Sequence, residues 1–92
     1  MTIEAFKRAH KIQKEWSVYL KALWYDRQEN WESAHELVDQ LGGEKAAWIH
    51  AYLHRKEGDI WNADYWYHKA NKSRPPLSLE EEWEQLVAYF MA

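Results

Sequence analysis

The sequence contains no cysteine, and only three glycines and two prolines occur among its 92 residues. Without cysteine the chain has no disulfide framework, no thiolate zinc site and no cysteine-based redox motif. The absence of cysteine fits the reducing cytosol, so a cytoplasmic location is predicted. The scarcity of glycine, proline and β-branched residues favours helices over strands.

Long apolar runs are also missing. No stretch approaches the roughly 18 apolar residues of a membrane-spanning helix, so no membrane partner is predicted. The first ten residues, MTIEAFKRAH, are amphipathic and charged, and they lack the apolar core of a secretory signal. The formal net charge of −3 argues against a general nucleic-acid binder, which usually carries a basic field.

Aromatic residues, in contrast, are abundant, with seven Trp and six Tyr. Their large rings let a short chain bury area that its few aliphatic residues would not supply. Each buried indole or phenol also needs a hydrogen-bond partner, so a core with polar handles is predicted. The same excess of rings would leave an apolar patch exposed, and a homo-oligomer is therefore an open alternative.

Helical periodicity predicts a single all-α domain over residues 1–92. The predicted helices cover residues 2–25, 31–41, 44–57, 60–72 and 79–90. The first carries an apolar stripe at helical spacing, which comprises Ala5, Ala9, Ile12, Trp16, either Tyr19 or Leu20, and Leu23. Asn30 and Asp59 are N-cap candidates, and the glycines at 42, 43 and 58 end helices.

The last helix has a distinct start and a distinct face. Ser78 and Glu81 match the capping box, in which each side chain satisfies an exposed backbone donor of the other residue. Glutamates crowd the first turns, where the helix dipole favours negative charge. The acidic face predicted to point to solvent comprises Glu80, Glu81, Glu82 and Glu84.

The strongest clue is a repeat signature in residues 46–75. Small, aromatic and turn residues there follow the spacing of the second half of a tetratricopeptide repeat: Gly58, Asp59, Ala63, Tyr67, Ala70 and Pro75. The segment therefore resembles one tetratricopeptide unit. Residues 63–70, with a Trp-Tyr pair between two alanines, also resemble the helix of Sel1-like repeats.

A weaker echo of this unit begins at Asn30. Ala34 stands 29 residues before Ala63, against roughly 34 residues in the standard repeat. The resemblance implies a five-helix α-α superhelix in which helix-turn-helix pairs stack and the last helix caps the array. An irregular five-helix bundle is the alternative.

The resemblance also implies that the first helix of the unit lines a concave face. Its outward strip would comprise Lys45, Trp48, Ile49, Tyr52, Arg55 and Lys56. Tetratricopeptide repeats commonly hold extended peptides or C-terminal tails on this face. Basic side chains beside aromatic rings suit a carboxylate or an acidic peptide. Alternatively, another helix covers Trp48 and Tyr52, and the charged residues form a solvated face.

Two histidines form a second feature. His50 and His54 lie four residues apart on one helical face, and Glu57 follows one turn later. Such a pair can chelate zinc or another divalent metal, with Glu57 or His68 as a third ligand. The repeat resemblance instead places both where apolar packing residues stand, and core histidines are the favoured interpretation. No partner at ligand spacing is found for the other two, His10 and His35.

A polar pocket is the third candidate. Asn62 and Trp66 lie four residues apart, so an amide and an indole share one side of the fourth predicted helix. If this side meets the histidine face, a pocket floored by aromatic rings results. Its residues would be His50, His54, Glu57, Asn62 and Trp66; an ordinary helix–helix interface is the alternative.

Catalytic templates are absent. The sequence has no glycine-rich phosphate loop, no G-x-S-x-G elbow and no H-E-x-x-H helix. We therefore expect no enzymatic activity, and neither a cofactor nor a metal is predicted. The favoured function is a scaffold that binds a protein or a peptide. A metal- or small-ligand-binding domain centred on His50 and His54 is the alternative.

Overall fold

The computed structural model describes residues 1–92 and contains six α-helices and no β-strand. The helices are α1 (Ile3–Arg8), α2 (Val18–Arg27), α3 (Trp31–Asp39), α4 (Glu44–Lys56), α5 (Ile60–Lys69) and α6 (Leu79–Met91). The predicted all-α class is confirmed. None of the six combines the length and the apolar character needed to cross a membrane.

The first predicted helix is wrong, because residues 2–25 form two helices joined by a non-helical segment. The chain leaves α1 at Ala9, whose ψ of 130° is extended, and α2 begins after Ser17. The interruption lets Phe6 and Trp16 pack in the core with ring centroids 4.9 Å apart. The stripe in the sequence favours Ala5 as the inward residue, whereas Ala5 is exposed and Phe6 is buried.

The start of α2 depends on a capping contact. The Ser17 hydroxyl oxygen accepts a hydrogen bond of 3.2 Å from the Leu20 N–H. Replacing Ser17 with alanine is expected to lower the free energy of unfolding by about 1 kcal/mol, measured by urea denaturation. Ser73→Ala, in the exposed loop after α5, is the control. Equal losses in the two variants would contradict a capping role.

Local signals placed the starts of the later helices correctly. The side chains of Asn30 and Asp59 cap α3 and α5 by accepting backbone N–H groups in the first turn of each helix. Ser78 and Glu81 form the predicted capping box at the start of α6. These signals act within four residues of the chain, so their effect does not depend on the tertiary fold.

The same hydrogen-bonded turn follows α2, α4 and α5. In each, a left-handed residue precedes an N–H that donates to the carbonyl five residues earlier, the Schellman arrangement. The left-handed residues are Glu29 (φ 60°), Gly58 (φ 91°) and Asn71 (φ 61°). The bonds, each 2.9 Å, join Asn30 to Tyr25, Asp59 to His54 and Lys72 to Tyr67. The first two turns stand 29 residues apart, like Ala34 and Ala63.

Helix α4 lies at the centre of the fold. It packs against α2, α3, α5 and α6, and all of residues 46–54 are buried. The buried middle of α4 therefore offers no free strip to a partner. The position of α4 therefore determines what becomes of the predicted binding strip and of the two histidines.

The predicted polar handles of the core are present. Four indoles that are buried or half-buried each donate to a group elsewhere in the chain, as burial of an N–H requires. The acceptors are the Ala9 carbonyl for Trp24 (3.0 Å), the Leu53 carbonyl for Trp31 (2.7 Å), the Glu82 carboxylate for Trp48 (3.2 Å) and the Leu23 carbonyl for Trp83 (3.1 Å). Every one of these bonds joins residues at least 15 positions apart in the chain.

Candidate functional site

The predicted outward strip on α4 is not an open face. Trp48 and Tyr52 are only 8% and 3% exposed, and Ile49 is fully buried. The expectation that these rings face solvent is therefore wrong. Helices α2 and α6 pack against this side of α4. Each of them supplies a buried carboxylate that accepts hydrogen bonds from polar side chains of α4. Within the strip, Lys45 alone is exposed, and Arg55 and Lys56 are half-buried.

Asp26 on α2 supplies the first carboxylate. The Tyr52 hydroxyl donates to its Oδ2 over 3.0 Å, and the Lys56 ammonium donates to its Oδ1 over 2.9 Å. Burial raises the pKa of the Asp26 carboxyl, and the bonds from Lys56 and Tyr52 oppose that rise. The pKa of the Tyr52 hydroxyl is also raised, first by burial and then by Asp26. The predicted binding residues Tyr52 and Lys56 thus hold α2 against α4.

Glu82 on α6 supplies the second carboxylate. The prediction that it faces solvent is wrong, since its exposure is 0%. It accepts from the Tyr67 hydroxyl (2.7 Å), an Arg55 guanidinium nitrogen (2.9 Å) and the Trp48 indole (3.2 Å). Arg55 also donates to the Leu77 carbonyl. A buried carboxylate with three donors is a structural centre that joins α4, α5 and α6.

One end of the strip remains accessible, in a groove of about 480 Å³ beside α6. Trp48 and Tyr89 line it, with ring centroids 5.5 Å apart and planes tilted by 65°. The Lys72 ammonium lies 4.3 Å from the centre of the Trp48 ring, and Lys45 lines the same groove. Neither ammonium lies in a salt bridge, and Glu44 is the only carboxylate that lines the groove.

A larger depression of about 580 Å³ lies around the segment that follows α5. Two of its cations already have carboxylate partners. Arg74 is bonded to Asp64, with 3.0 Å between its Nε and Oδ1, and Arg55 is bonded to Glu82. Paired cations offer less to an anionic ligand, so the groove at Trp48 is the better candidate.

The histidines form a cluster between α3 and α4. His50 and His54 meet His35 of α3, and one ring nitrogen of each lies within 4.8 Å of the others. The Nε2 atoms of His35 and His50 are 2.9 Å apart. The spacing in the sequence predicts no partner for His35, yet His35 belongs to the cluster. His68, the predicted alternative third ligand, is exposed and lies outside it.

Neighbouring side chains fix these rings. The Trp66 indole stacks on His50 with centroids 4.0 Å apart, and the Trp31 indole stacks on His35 with centroids 4.8 Å apart. Glu57 Oε1 lies 2.6 Å from His54 Nδ1. Burial, followed by the nearby His35 and His54, lowers the pKa of His50 to about 4, so its ring is neutral at pH 7.

The predicted polar pocket is assembled only in part. Trp66 meets His50, and Glu57 meets His54. Asn62 is half-buried in the first turn of α5, where its backbone N–H donates to the Asp59 cap. No hydrogen bond joins its side chain to the histidines. The face is thus a packed junction of histidine and indole rings.

Two aromatic rings of α5 remain on the surface. Trp61 is 80% exposed, and Tyr65 stacks beside it with ring centroids 6.4 Å apart. Such exposure is the patch that the aromatic composition predicts, and a homo-oligomer through it stays a prediction.

Comparison of the chain with protein-family models, curated proteins and solved structures found no match.

Proposed function

We propose that this chain is a tetratricopeptide-like protein-binding domain that accepts an acidic peptide segment in the groove lined by Trp48, Tyr89, Lys45 and Lys72. The single observation that carries the proposal is the pair of lysines without carboxylate partners beside two aromatic rings. Ammonium groups form charge-assisted bonds with carboxylates, while the Tyr89 ring, which is 50% exposed beside Trp48, buries the apolar part of a peptide side chain.

The repeat part of the proposal is supported by the pairing of the helices. Helix α4 packs most extensively with α5, and α2 packs most extensively with α3. Both pairs are joined by the same Schellman turn and the same type of N-cap, and both place a fully buried alanine 29 residues apart. Such pairs are the units from which a helical-repeat array is built.

The groove differs from the strip that the sequence predicts. Trp48 and Lys45 belong to both, whereas Tyr52, Arg55 and Lys56 are occupied inside the fold by Asp26 and Glu82. Lys72, from the turn after α5, and Tyr89, from α6, take their place. The ligand would therefore lie across the α4–α6 junction and contact only the first half of α4.

The test measures binding of a fluorescein-labelled peptide that carries Asp, Glu and Phe and ends in a free carboxylate. Lys45→Glu with Lys72→Glu is expected to weaken binding about tenfold or more, since each reversal removes an attraction and adds a repulsion. Binding to the unmodified protein is expected to fall as salt rises. Fluorescence anisotropy measures both effects.

A matched control keeps the net charge equal. Lys11 and Lys14 are exposed and lie in no salt bridge, so Lys11→Glu with Lys14→Glu changes the total charge by the same amount away from the groove. This variant is expected to bind the peptide nearly as well as the unmodified protein. Equal weakening in the two variants would reject the groove as the binding site.

A further inference from the structure

His35, His50 and His54 form a cluster of metal-binding side chains that lies outside the groove. His35 comes from α3, and His50 and His54 lie one turn apart on α4. The ring centroids are 4.7 Å apart for His35 and His50, and 5.3 Å apart for each of the other two pairs. The junction of the first and second helix pairs therefore carries three imidazoles within contact of one another.

The spacing of the ligand atoms is close to what a tetrahedral metal requires. Zinc–imidazole bonds of about 2.05 Å hold two ligand nitrogens about 3.4 Å apart. The observed separations begin at 2.9 Å for His35 and His50, and all three nitrogens lie within 4.8 Å of one another. Shifts of the order of an ångström in these side chains would bring all three nitrogens to one ion.

The surroundings of the rings are those of an oriented ligand set. Glu57 accepts from His54 Nδ1, which leaves Nε2 as the nitrogen with a free lone pair. A carboxylate behind a ligating histidine is the usual outer partner in zinc sites, because it fixes the tautomer and raises the basicity of the ring. Trp66 and Trp31 hold the planes of His50 and His35 by stacking.

The Asp39 carboxylate lies beside the histidine cluster and can supply a fourth ligand atom. Asp39 Oδ1 lies 3.6 Å from His50 Nε2, and the Asp39 side chain is 61% exposed. An exposed carboxylate can turn toward an ion or yield the position to water, whereas the two α4 rings are buried. Nitrogen ligands with at most one oxygen suit zinc and similar divalent transition metals, and they do not suit calcium or magnesium.

We propose that His35, His50 and His54 form a binding site for a divalent transition metal, with zinc as the first choice and with Asp39 or water in the fourth position. The site goes beyond peptide binding and does not depend on it, because no residue of the groove belongs to the cluster. The bound ion would join α3 to α4 and thus tie the two helix pairs together.

The experiment uses untagged protein that has been stripped with a chelator and then titrated with zinc chloride in a calorimeter. One zinc ion per chain is expected to bind the unmodified protein. Cobalt chloride is expected to give the visible absorption bands of tetrahedral Co²⁺ with nitrogen ligands. The thermal midpoint of unfolding is expected to rise with zinc concentration, because the ion binds only the folded chain.

Single substitutions locate the site. His35→Gln is expected to weaken zinc binding by at least about 100-fold, and Glu57→Gln by about tenfold, since outer partners contribute less than ligands. The controls His10→Gln and His68→Gln lie on exposed residues outside the cluster and are expected to bind like the unmodified protein. Far-ultraviolet circular dichroism confirms folding, and His35, which is only half-buried, is the ligand whose replacement disturbs the core least.

Three results would overturn the proposal. The first is the absence of a 1:1 zinc complex in the unmodified protein, which would leave a purely structural histidine cluster. The second is unchanged binding by His35→Gln. The third is binding that survives His35→Gln but is lost in Asp59→Asn, since His54, Glu57 and Asp59 form a second group of metal-binding side chains at the end of α4, in which Glu57 and Asp59 are exposed. The charge-reversed groove variants are expected to bind zinc normally, so the two proposals fail independently.

Discussion

Replacing Glu82 with alanine is expected to lower the free energy of unfolding by about 3–5 kcal/mol. The carboxylate is fully buried and accepts from Arg55, Tyr67 and Trp48. Its removal leaves the Arg55 guanidinium without a carboxylate partner, and it leaves the Tyr67 hydroxyl and the Trp48 indole N–H without an acceptor. Because a domain of this size has a total stability of roughly 5–15 kcal/mol, urea denaturation followed by circular dichroism should show a much lower midpoint.

Two further variants separate the buried charge from general effects on α6. Glu84→Ala removes a half-buried glutamate of the same helix that pairs with Lys7, and a loss below about 1 kcal/mol is expected. Glu82→Leu combined with Arg55→Met removes both charges and is expected to recover part of the loss caused by Glu82→Ala. Equal losses in Glu82→Ala and Glu84→Ala would mean that water reaches Glu82.

Trp83→Ala is expected to lower the free energy of unfolding by about 3–5 kcal/mol, the usual range for an aromatic ring removed from a core. The Trp83 indole is buried, donates to the Leu23 carbonyl and lies beneath the Arg27 guanidinium, 4.6 Å from it. The variant would loosen α6 from α2 and leave a cavity beside Phe6. Chemical denaturation measures the change.

The control for Trp83 is another tryptophan. Trp61 is 80% exposed, so Trp61→Ala is expected to change the unfolding free energy by less than about 0.5 kcal/mol. A loss for Trp61→Ala that matched the loss for Trp83→Ala would mean that the exposed ring is buried in solution. Its burial against a second copy of the chain would then explain the result, and light scattering would detect it.

The starts of the later helices, from α3 onward, follow from local signals in the sequence. Asn30, Asp59 and Ser78 start helices because their side chains satisfy backbone donors three residues further along. Gly58 ends α4 because its φ of 91° is open to glycine at little cost. In both cases the determining contact lies within one turn of the residue, and the sequence displays it directly.

The first half could not be predicted in the same way. The apolar spacing in residues 2–25 is compatible with one helix, yet a single helix would not bring Phe6 and Trp16 together. The energy of burying that pair of rings is a tertiary quantity. It exceeds the gain from continuing the helix through residues 9–17, where the sequence contains no proline or glycine that would mark a break.

The candidate sites also combine local contacts, which the sequence predicts, with tertiary contacts, which it does not. The contact of His54 with Glu57 is local, because the two residues lie three apart in the chain, whereas His35 joins the cluster only because α3 packs on α4. Burial of Glu82 is not visible in a run of four glutamates near the start of a helix. Its partners lie 15 to 34 residues away along the chain.

The indole hydrogen bonds have a consequence for how the chain unfolds. Trp31, Trp48 and Trp83 each donate to a group in another helix, and Trp24 donates to the segment that follows α1. If one helix separated from the rest, its indole hydrogen bonds would break. The donor or acceptor left behind in the folded part would then have no partner. Helix pairs of repeat arrays can melt one after another, but here we expect a single cooperative transition, with amide exchange in α2, α4 and α6 governed by one global opening.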